Sequence, residues 1–357
     1  MTRYVAGCMT GTSMDGLDVS VVEINGNGLD MQVKPIEHHS QTLGSLEDQL
    51  RELSISENIS LKDFVEIRDN FSHLHVELLK NIKTKLNLAS IHGQTLYHKP
   101  PQSLQLLNSS IVAQHLSVTV VSDLRAADLA LGGEGAPITP LADYIIYADS
   151  KKKVIVNLGG FCNITFLPKK KEDAHLELFG KDVCACNHIL DSLCRDRLNI
   201  DYDENGSIAA KGNSNRAFVD CLKKRLYSQN ERGDSLGTGD ECFELIKDLS
   251  KEISTEDVLK SICIVIAEMI GEVGTKSEEI VLAGGGCLNK TLVEEIKKAS
   301  EVDVVLSDEY GIPTQYREAV GMAVLGALCE DKVPITIEGI TGLNCPAPIS
   351  GVWVYSS

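Results

Sequence analysis

The sequence predicts an α/β fold of two halves, each with the order β-β-β-α-β-α-β, that face each other across a central cleft. The chain has 357 residues, which is enough for two hydrophobic cores. Its hydrophobic fraction of 43% and its lack of low-complexity segments are typical of a fully folded protein. The main observation is a repeat, since an apolar strand runs into a glycine turn and returns as a strand at residues 4–24 and again at residues 154–167.

Charge and cysteine content narrow the function classes. A formal net charge of −17 disfavours binding to nucleic acid or to an anionic membrane surface. No segment approaches the roughly 18 consecutive apolar residues of a membrane span. The 11 cysteines are scattered and form no C-x-x-C pair, so they predict buried side chains in a reducing compartment and no metal site. We therefore expect a cytoplasmic protein without a nucleic-acid or membrane partner, while the charge still allows a local site for an anionic small ligand.

In the first half, polar loops follow buried strands. Apolar residues recur every three or four positions over residues 64–86, which predicts an amphipathic helix. The strand Leu88–Ile91 ends in His92-Gly93-Gln94-Thr95, and the strand Val118–Val121 opens into Asp123-Leu124-Arg125. Such loops are where α/β proteins place ligand-binding groups. The strands predicted before this helix are Tyr4–Ala6, Leu17–Ile24 and Met31–Glu37.

The pattern restarts after a helical connection near residues 137–147. We place the halves at residues 1–140 and 141–330, with a helical insertion near residues 200–275 and an extended tail over 331–357 that packs back on the body. The strands predicted in the second half are Val154–Leu158, Phe161–Leu167, Leu176–Phe179, Ile280–Ala283 and Val302–Leu306. The predicted helices are Ile189–Leu198, Val258–Ile270 and Arg317–Leu328.

The stretch Gly7–Asp18 is the most informative turn. Small residues at its tip let backbone N–H groups approach an anion closely, and Thr12 and Ser13 can add hydroxyl donors. It is not a Walker A loop, because no Gly-Lys-Ser/Thr follows. An ordinary hairpin turn has the same composition, so the residues alone leave both interpretations open.

Seven motifs occur in one order along nearly the whole chain. In this order they resemble the anhydro-N-acetylmuramic acid kinase family. The motifs are Gly7–Asp18, His92–Thr95 with Pro100, Asp123–Arg125, Gly135–Pro137, Asn157–Gly160 with Asn163–Thr165, Gly284–Gly286 with Asn289, and Gly311–Pro313 with Glu318-Ala319.

The resemblance implies the two-domain fold of the actin, sugar-kinase and Hsp70 superfamily, also called the actin-like (ribonuclease H-like) ATPase fold. It also implies a reaction in which ATP, with Mg²⁺, phosphorylates O6 of 1,6-anhydro-N-acetylmuramic acid while water opens the anhydro bridge at C1. The product is N-acetylmuramic acid 6-phosphate, within peptidoglycan recycling. The resemblance further suggests a homodimer.

Roles for individual residues follow from the same resemblance. Asp182 occupies the position of the general base, and His92, Arg125 and Glu318 occupy substrate-binding positions. For Arg125 and Glu318 a purely structural ion pair stays open as an alternative. The predicted ATP-binding residues are Gly11, Thr12, Ser13, Met14, Asp15, Gly16, Asp18, Gly159, Gly160, Gly284, Gly285 and Gly286.

The chain departs from the family next to the predicted base. The family motif reads Asp-Thr-Gly-Pro-Gly-Asn, whereas Cys184 and Cys186 stand here where glycines are usual. A cysteine forced into a left-handed glycine conformation would be strained by roughly 1–2 kcal/mol, so we expect either a moved loop or a pocket of changed shape after Asp182. An alternative function is therefore a catalytically weakened homologue that binds nucleotide or a muropeptide sugar as a sensor. A kinase for a related sugar is the remaining alternative.

Overall fold

The structure is a computed structural model that describes residues 2–11, 14, 16–56, 58–171, 173–230, 242–337, 339–343, 345 and 348–356. Its strands are β1 Thr2–Thr10, β2 Gly16–Asn25, β3 Gln32–Thr42, β4 Leu88–Ile91, β5 Gln94–Lys99, β6 Gln102–Leu106, β7 Thr119–Ser122, β8 Lys153–Leu158, β9 Phe161–Leu167, β10 Phe179–Ala185, β11 Glu279–Ala283, β12 Asp303–Leu306 and β13 Val352–Val354. Its α-helices are α1 Leu46–Ile55, α2 Leu61–Lys80, α3 Ser109–Leu116, α4 Ala126–Ala130, α5 Pro140–Tyr147, α6 Asn187–Leu198, α7 Arg216–Asn230, α8 Phe243–Leu249, α9 Thr255–Gly274, α10 Lys290–Ala299 and α11 Arg317–Glu330.

The chain divides into two compact units. The first contains Met1–Tyr147, His175–Leu178 and Tyr316–Ser357, and the second contains Ala148–Ala174 and Phe179–Gln315. The boundaries at residues 140 and 330 stay a prediction. Among the described residues, the structure has no helix that is both long and apolar enough to cross a membrane.

The first unit is built on a six-stranded sheet with the order β13-β7-β4-β1-β2-β3. Strands β1, β2 and β3 form an antiparallel meander, whereas β4 and β7 join β1 in parallel after helical crossovers. This confirms the predicted order of three strands, helix, strand, helix and strand. Two additions were not predicted, the β5–β6 hairpin and the short tail strand β13, which pairs antiparallel with β7.

The second unit repeats this plan in a five-stranded sheet with the order β10-β9-β8-β11-β12. Strands β8, β9 and β10 are antiparallel to one another, and β11 and β12 continue the sheet in parallel with β8. Because both faces of β8 and β11 are covered, every residue of these two strands is buried. The α/β class and the duplicated strand plan are therefore confirmed.

One strand was predicted in the wrong place. Ala174–Glu177 form a 3-10 turn, and the third strand of the second unit is β10, which runs from Phe179 to Ala185 and includes Asp182. The segment 183–186 reads Val-Cys-Ala-Cys. It contains a β-branched residue and no glycine or proline, so nothing in it interrupts a strand. The predicted base thus lies on a strand and not in a loop before α6.

Helix α11 packs unusually close to the sheet of the first unit. A Cβ atom added to Gly7 of β1 would overlap the carbonyl oxygen of Ala319 and the amide nitrogen of Ala323. A Cβ on Gly326 would come within 2.6 Å of the hydroxyl oxygen of Ser90 on β4. Glycine at these two positions therefore lets the helix backbone lie directly on β1 and β4.

We predict that Gly7→Ala lowers the free energy of unfolding by about 1–3 kcal/mol, the usual cost of overpacking. The matched control is Gly321→Ala on α11, the helix that packs on Gly7. Its Cβ would lie 3.7 Å from the Cβ of Ala142, which is an ordinary contact. The control should be neutral, or stabilising by up to about 1 kcal/mol through helix propensity. Urea denaturation measures both variants, and equal stability of the two would contradict this account of the packing.

Candidate active site

Arg125 is the centre of a polar cluster in the first unit. It follows β7 and precedes α4, and the buried neighbour Leu124 fixes the turn between them. Its Nε donates to Nε2 of His92 at 3.2 Å, and its Nη1 donates to the carbonyl oxygen of Gly135 at 2.6 Å. Burial lowers the pKa of Arg125 to about 10, while the charges of Glu318 and Asp123 act in the opposite direction. The guanidinium therefore stays charged at neutral pH.

His92 is a neutral acceptor for this cation. It directly follows β4, is 4% exposed, and its Nδ1 lies 2.9 Å from the carbonyl oxygen of Gly93. Because Nδ1 must donate to that carbonyl, Nε2 is left to accept from Arg125. Burial, and next the charge of Arg125, lower the pKa of His92 to about 3. The two predicted substrate residues are thus in direct contact.

Glu318 supplies negative charge from the start of α11. It is half-buried in the first turn of the helix, and its charge favours the charged form of Arg125. The residue before it, Arg317, is 2% exposed and donates from Nε to Oδ1 of Asp143 on α5 at 2.9 Å, with a second bond from Nη2 to Oδ2. The buried ion pair of this region therefore joins Arg317 to Asp143 and holds the end of α11 that carries Glu318.

Two further ionisable residues surround Arg125 that the sequence analysis did not select as site residues. Asp123 has a left-handed backbone with φ of +50°, and burial raises its pKa. Burial, and next the charge of Arg125, lower the pKa of His98, whose Nδ1 is 3.0 Å from the hydroxyl of Ser103. The sequence offered one indication of His98, because it lies in the segment that follows His92. That segment folds back as the β5–β6 hairpin.

A cavity of about 270 Å³ opens beside His92 and Asp123. Most of its lining side chains are polar, which suits a ligand with several hydroxyl or carboxylate oxygens. The lining residues are Arg68, His92, Gln105, Leu107, Asn108, Ser109, Ser110, Ser122, Asp123, Val352 and Val354.

The N-terminal glycine turn is described only in part. Met14 has a left-handed backbone with φ of +56° and donates its N–H to the carbonyl oxygen of Gly11 at 3.2 Å. The side chain of Met14 is buried in the core of the first unit. Gly16 and Asp18 lie at the start of β2. Gly16 is opposite Thr42 of β3, and Asp18 is opposite Met9 of β1. Thr12, Ser13 and Asp15 lie outside the described residues.

In the second unit, the glycine turns Gly159-Gly160 and Gly284–Gly286 lie side by side. They follow the adjacent parallel strands β8 and β11, whose carboxyl ends lie at one edge of the sheet. A Cβ on Gly284 would be 2.7 Å from the carbonyl oxygen of Leu158, and a Cβ on Gly286 would be 2.7 Å from the Cβ of Leu158, so both pack on the end of β8. Gly285 is exposed, and nothing lies within 4 Å of its Cβ position. This edge leaves an open backbone surface at Gly285.

Helix α6 is tied to the first of these turns. The N–H of Cys186 donates to the carbonyl oxygen of Gly160 at 2.8 Å, and the N–H of Asn187 donates to that of Gly159 at 3.1 Å. A Cβ on Gly160 would overlap the ring of His188. The predicted residues Gly159 and Gly160 therefore lie against the N-terminus of α6, and their carbonyl oxygens accept from its first amide groups.

Asp182 is half-buried on β10, opposite Asn163 of β9. The register of the two strands shifts between Asp182 and Cys184, so the strand bulges directly after the predicted base. A bulge of this kind changes the direction of a side chain and is common next to active sites.

The expected strain at the two cysteines is wrong. Neither Cys184 nor Cys186 has a positive φ, and both side chains are buried in the core of the second unit. The pKa of Cys162, opposite Cys184, is raised well above its ordinary value by its hydrogen bond with Cys184 and by burial, and burial raises the pKa of Cys186 well above its ordinary value. Cys184 in β10 and Cys186 just after its end are both core side chains of the second unit.

Taken together, the two sheets share a meander that continues into parallel strands, with glycine turns at the strand ends. This arrangement defines a protein of the actin-like class, which contains ATPases and sugar kinases. Comparison with known proteins specifies the family. The model of the family described as anhydro-N-acetylmuramic acid kinase matches residues 3–355, so the chain belongs to this family.

Curated relatives agree with this assignment. The protein named anhydro-N-acetylmuramic acid kinase from Bacillus cereus strain 03BB102 is 29% identical over 374 residues, which cover 95% of this chain and 96% of the relative. The protein of the same name from Bacillus cereus strain Q1 is 30% identical over 373 residues, with the same shares. Among solved structures, an activator of 2-hydroxyisocaproyl-CoA dehydratase from Clostridium difficile aligns with a TM-score of 0.45 and 14% identity, over 92% of this chain and 96% of that one.

We predict that His92 makes stability depend on pH. Its pKa is about 3 in the folded chain and about 6.5 when unfolded. The unfolded chain therefore binds the proton first as the pH falls, and stability present above pH 6.5 is lost towards pH 3. His92→Gln keeps an acceptor for Arg125 but cannot titrate. Between pH 7 and pH 5 it should lose about 1–2 kcal/mol less unfolding free energy than the wild type.

The control for this prediction is His75→Gln, measured by urea denaturation at the same two pH values. His75 is 1% exposed, and burial lowers its pKa to about 4, so this variant should also flatten the pH dependence. It lies in α2 and should leave ligand binding unchanged, unlike His92→Gln. An identical pH dependence for His92→Gln and the wild type would refute the neutral, buried state of His92.

We predict that Gly285→Val weakens ATP binding and leaves the fold intact. The new side chain would enter the open space beside Gly285, where it meets no protein atom within 4 Å of its Cβ. Gly285→Ala should have a smaller effect, because steric exclusion grows with side-chain size. Calorimetric titration with ATP measures the affinity and thermal unfolding checks the fold. An unchanged affinity in the valine variant would remove Gly285 from the nucleotide site.

Proposed function

We propose that this chain is an ATP-dependent kinase that converts 1,6-anhydro-N-acetylmuramic acid to N-acetylmuramic acid 6-phosphate. The observation that carries the proposal is the family match over residues 3–355, with relatives of that name covering 95% of the chain. Arg125, which is hydrogen-bonded to His92 of the polar cavity lining, supports an oxygen-rich substrate.

The reaction joins two events on one sugar. A water oxygen bonds to C1 as the C1–O6 bond breaks, and O6 bonds to the γ-phosphorus of ATP as the bond to the β-phosphate oxygen breaks. ADP leaves, and the proton of the attacking water goes to a base on the protein. A fixed sugar orientation is needed for both events, because each has its own line of attack.

Asp182 is the proposed base. Inverting glycosidases use a carboxylate in this way to activate water at the anomeric carbon. Arg125, His92 and Glu318 are the proposed sugar-binding residues. Arg125 offers several N–H donors in a fixed plane, while Glu318 can accept from sugar hydroxyls.

The glycine turns are proposed to bind ATP through backbone N–H groups. We assign this role to Gly11, Thr12, Ser13, Asp15, Gly16 and Asp18 in the first unit and to Gly159, Gly160 and Gly284–Gly286 in the second. ATP-bound Mg²⁺ needs only one or two protein carboxylates, because phosphate oxygens and water supply its other ligands. Asp18, at the start of β2, is the described carboxylate that could contact its water shell. Mg²⁺ would supply neutralisation of the phosphate charge.

The structure removes the main support for a weakened homologue. That alternative depended on cysteines crowding the pocket after Asp182, and both cysteines lie in the core instead. The free cysteines fit a reducing compartment such as the cytoplasm, which we propose as the site of action. A homodimer remains an expectation from the family, and light scattering would test it.

The direct test is ADP formation with ATP, Mg²⁺ and the anhydro sugar in a coupled assay. The proposal expects ADP to appear only when the sugar is present. A matched reaction with N-acetylglucosamine measures selectivity for the anhydro ring. ADP formation that ignores the anhydro sugar would overturn the proposal.

We predict that Asp182→Asn lowers kcat by about 10²- to 10⁴-fold, the usual contribution of a general base. ATP affinity should change little, because the substitution keeps the shape of the side chain. Asp201→Asn, which removes an exposed carboxylate of the same unit, is the control and should retain full activity. Equal turnover of Asp182→Asn and wild type would mean that another group accepts the proton.

A further inference from the structure

We propose that Asp128 and Thr341 are positioning residues that hold Arg125 in place through the backbone of Gly135. The inference rests on the proposed role of Arg125 in sugar binding. It assigns a function to the C-terminal tail, which contributes Thr341, and to the short helix α4, which contributes Asp128.

Asp128 is a fully buried carboxylate that binds two separate segments. It is 0% exposed, and its Oδ2 accepts the N–H of Gly135 at 2.7 Å. Its Oδ1 accepts the hydroxyl of Thr341 at 2.8 Å. Its backbone carbonyl also accepts the N–H of Gly133 at 3.0 Å. A buried carboxylate is costly unless donors surround it, so these contacts are needed for Asp128 to lie there.

Gly135 connects this carboxylate to the site. Its N–H is held by Asp128, and its carbonyl oxygen accepts from Nη1 of Arg125 at 2.6 Å. Gly135 has a left-handed φ of +67°, and a Cβ there would be 2.8 Å from Cγ of Leu129. Only glycine fits this position, and the bond from its N–H to the carboxylate of Asp128 holds the turn that presents its carbonyl oxygen to Arg125.

The tail closes the other side of the same loop. Thr341 is 0% exposed, and its carbonyl oxygen accepts the N–H of Glu134 at 2.7 Å. Thr341 thus contacts the loop directly at Glu134 and indirectly through Asp128. The contact between Thr341 and Asp128 joins positions 213 residues apart in the chain.

These contacts matter for the substrate because Arg125 has two protein anchors. One is the Gly135 carbonyl, and the other is the neutral His92 ring at 3.2 Å from Nε. Two bonds from different nitrogens fix the plane of a guanidinium, whose remaining donors can then meet substrate oxygens at fixed angles. Release of Gly135 would leave the cation one anchor, and the sugar would be bound in a less productive geometry.

The first experiment compares Asp128→Ala with Asp128→Asn in the full chain. The alanine variant removes both acceptors and should raise the KM for the sugar by about 10- to 100-fold while leaving the KM for ATP nearly unchanged. The asparagine variant can turn its oxygen to Gly135 and its NH₂ to the Thr341 hydroxyl, so it should stay within about threefold of wild type. An alanine variant with unchanged sugar KM, or an asparagine variant as impaired as alanine, would overturn the proposal.

A second experiment tests the proposal even if the Asp128→Ala variant does not fold. Thr341→Val removes the hydroxyl and should raise the sugar KM. Thr336→Val is the matched control, because Thr336 is 5% exposed and its hydroxyl has no hydrogen-bond partner among the described residues. Equal sugar KM values for the two valine variants would overturn the proposal.

Amide hydrogen exchange over residues 132–137 separates this inference from the proposed function. Asp128→Ala and Thr341→Val should speed exchange of the Gly133, Glu134 and Gly135 amides, and Thr336→Val should not. This result supports the anchoring even if the wild type fails to phosphorylate the sugar, an outcome that would count against the function alone. Unchanged exchange in both variants would overturn the inference even if Arg125→Ala abolishes sugar binding.

Discussion

The close seating of α11 on β1 and β4 is the constraint on which the first unit depends. Helix and strand backbones can approach this closely only because Gly7 and Gly326 have no side chain. The helix begins with Arg317, whose buried pair with Asp143 fixes the first turn. Glu318 follows at once, and His92 directly follows β4, so the same packing that forms the core sets the charges around Arg125. The packing of α11 therefore links the stability of this unit to the geometry around Arg125.

The buried positive charge of Arg125 is surrounded by neutral hydrogen-bond acceptors and by negatively charged side chains. His92 is neutral and accepts a hydrogen bond, Glu318 and Asp123 contribute negative charge, and Gly135 offers a backbone oxygen. The neutral imidazole and the carbonyl orient the guanidinium of Arg125 without adding negative charge, which suits the sugar-binding role proposed for it.

Much of the fold could be predicted because hydrophobic periodicity and glycine turns are local signals. The meander of the first unit, the buried strands β8 and β11, and α11 all follow from such patterns. The position of Asp182 could not be predicted, because residues 183–186 pack in a core formed by distant residues, and such packing gives no local signal. The Asp128–Thr341 contact could not be predicted either, since no local sequence pattern marks these two residues. The tail comes from far along the chain to reach α4. The motif order predicted the candidate site residues, but only the structure shows that His92 and Gly135 both contact Arg125.

The central claim is that one site couples phosphoryl transfer to O6 with attack of water on C1. The most direct measurement is mass spectrometry of the product formed from ATP and the anhydro sugar in ¹⁸O-labelled water. The account predicts a sugar phosphate with one ¹⁸O at C1 and none in the phosphate group. Label in released inorganic phosphate without a labelled sugar phosphate would show simple ATP hydrolysis, and a phosphorylated sugar without ¹⁸O at C1 would show that water does not open the ring. Either result would contradict the account.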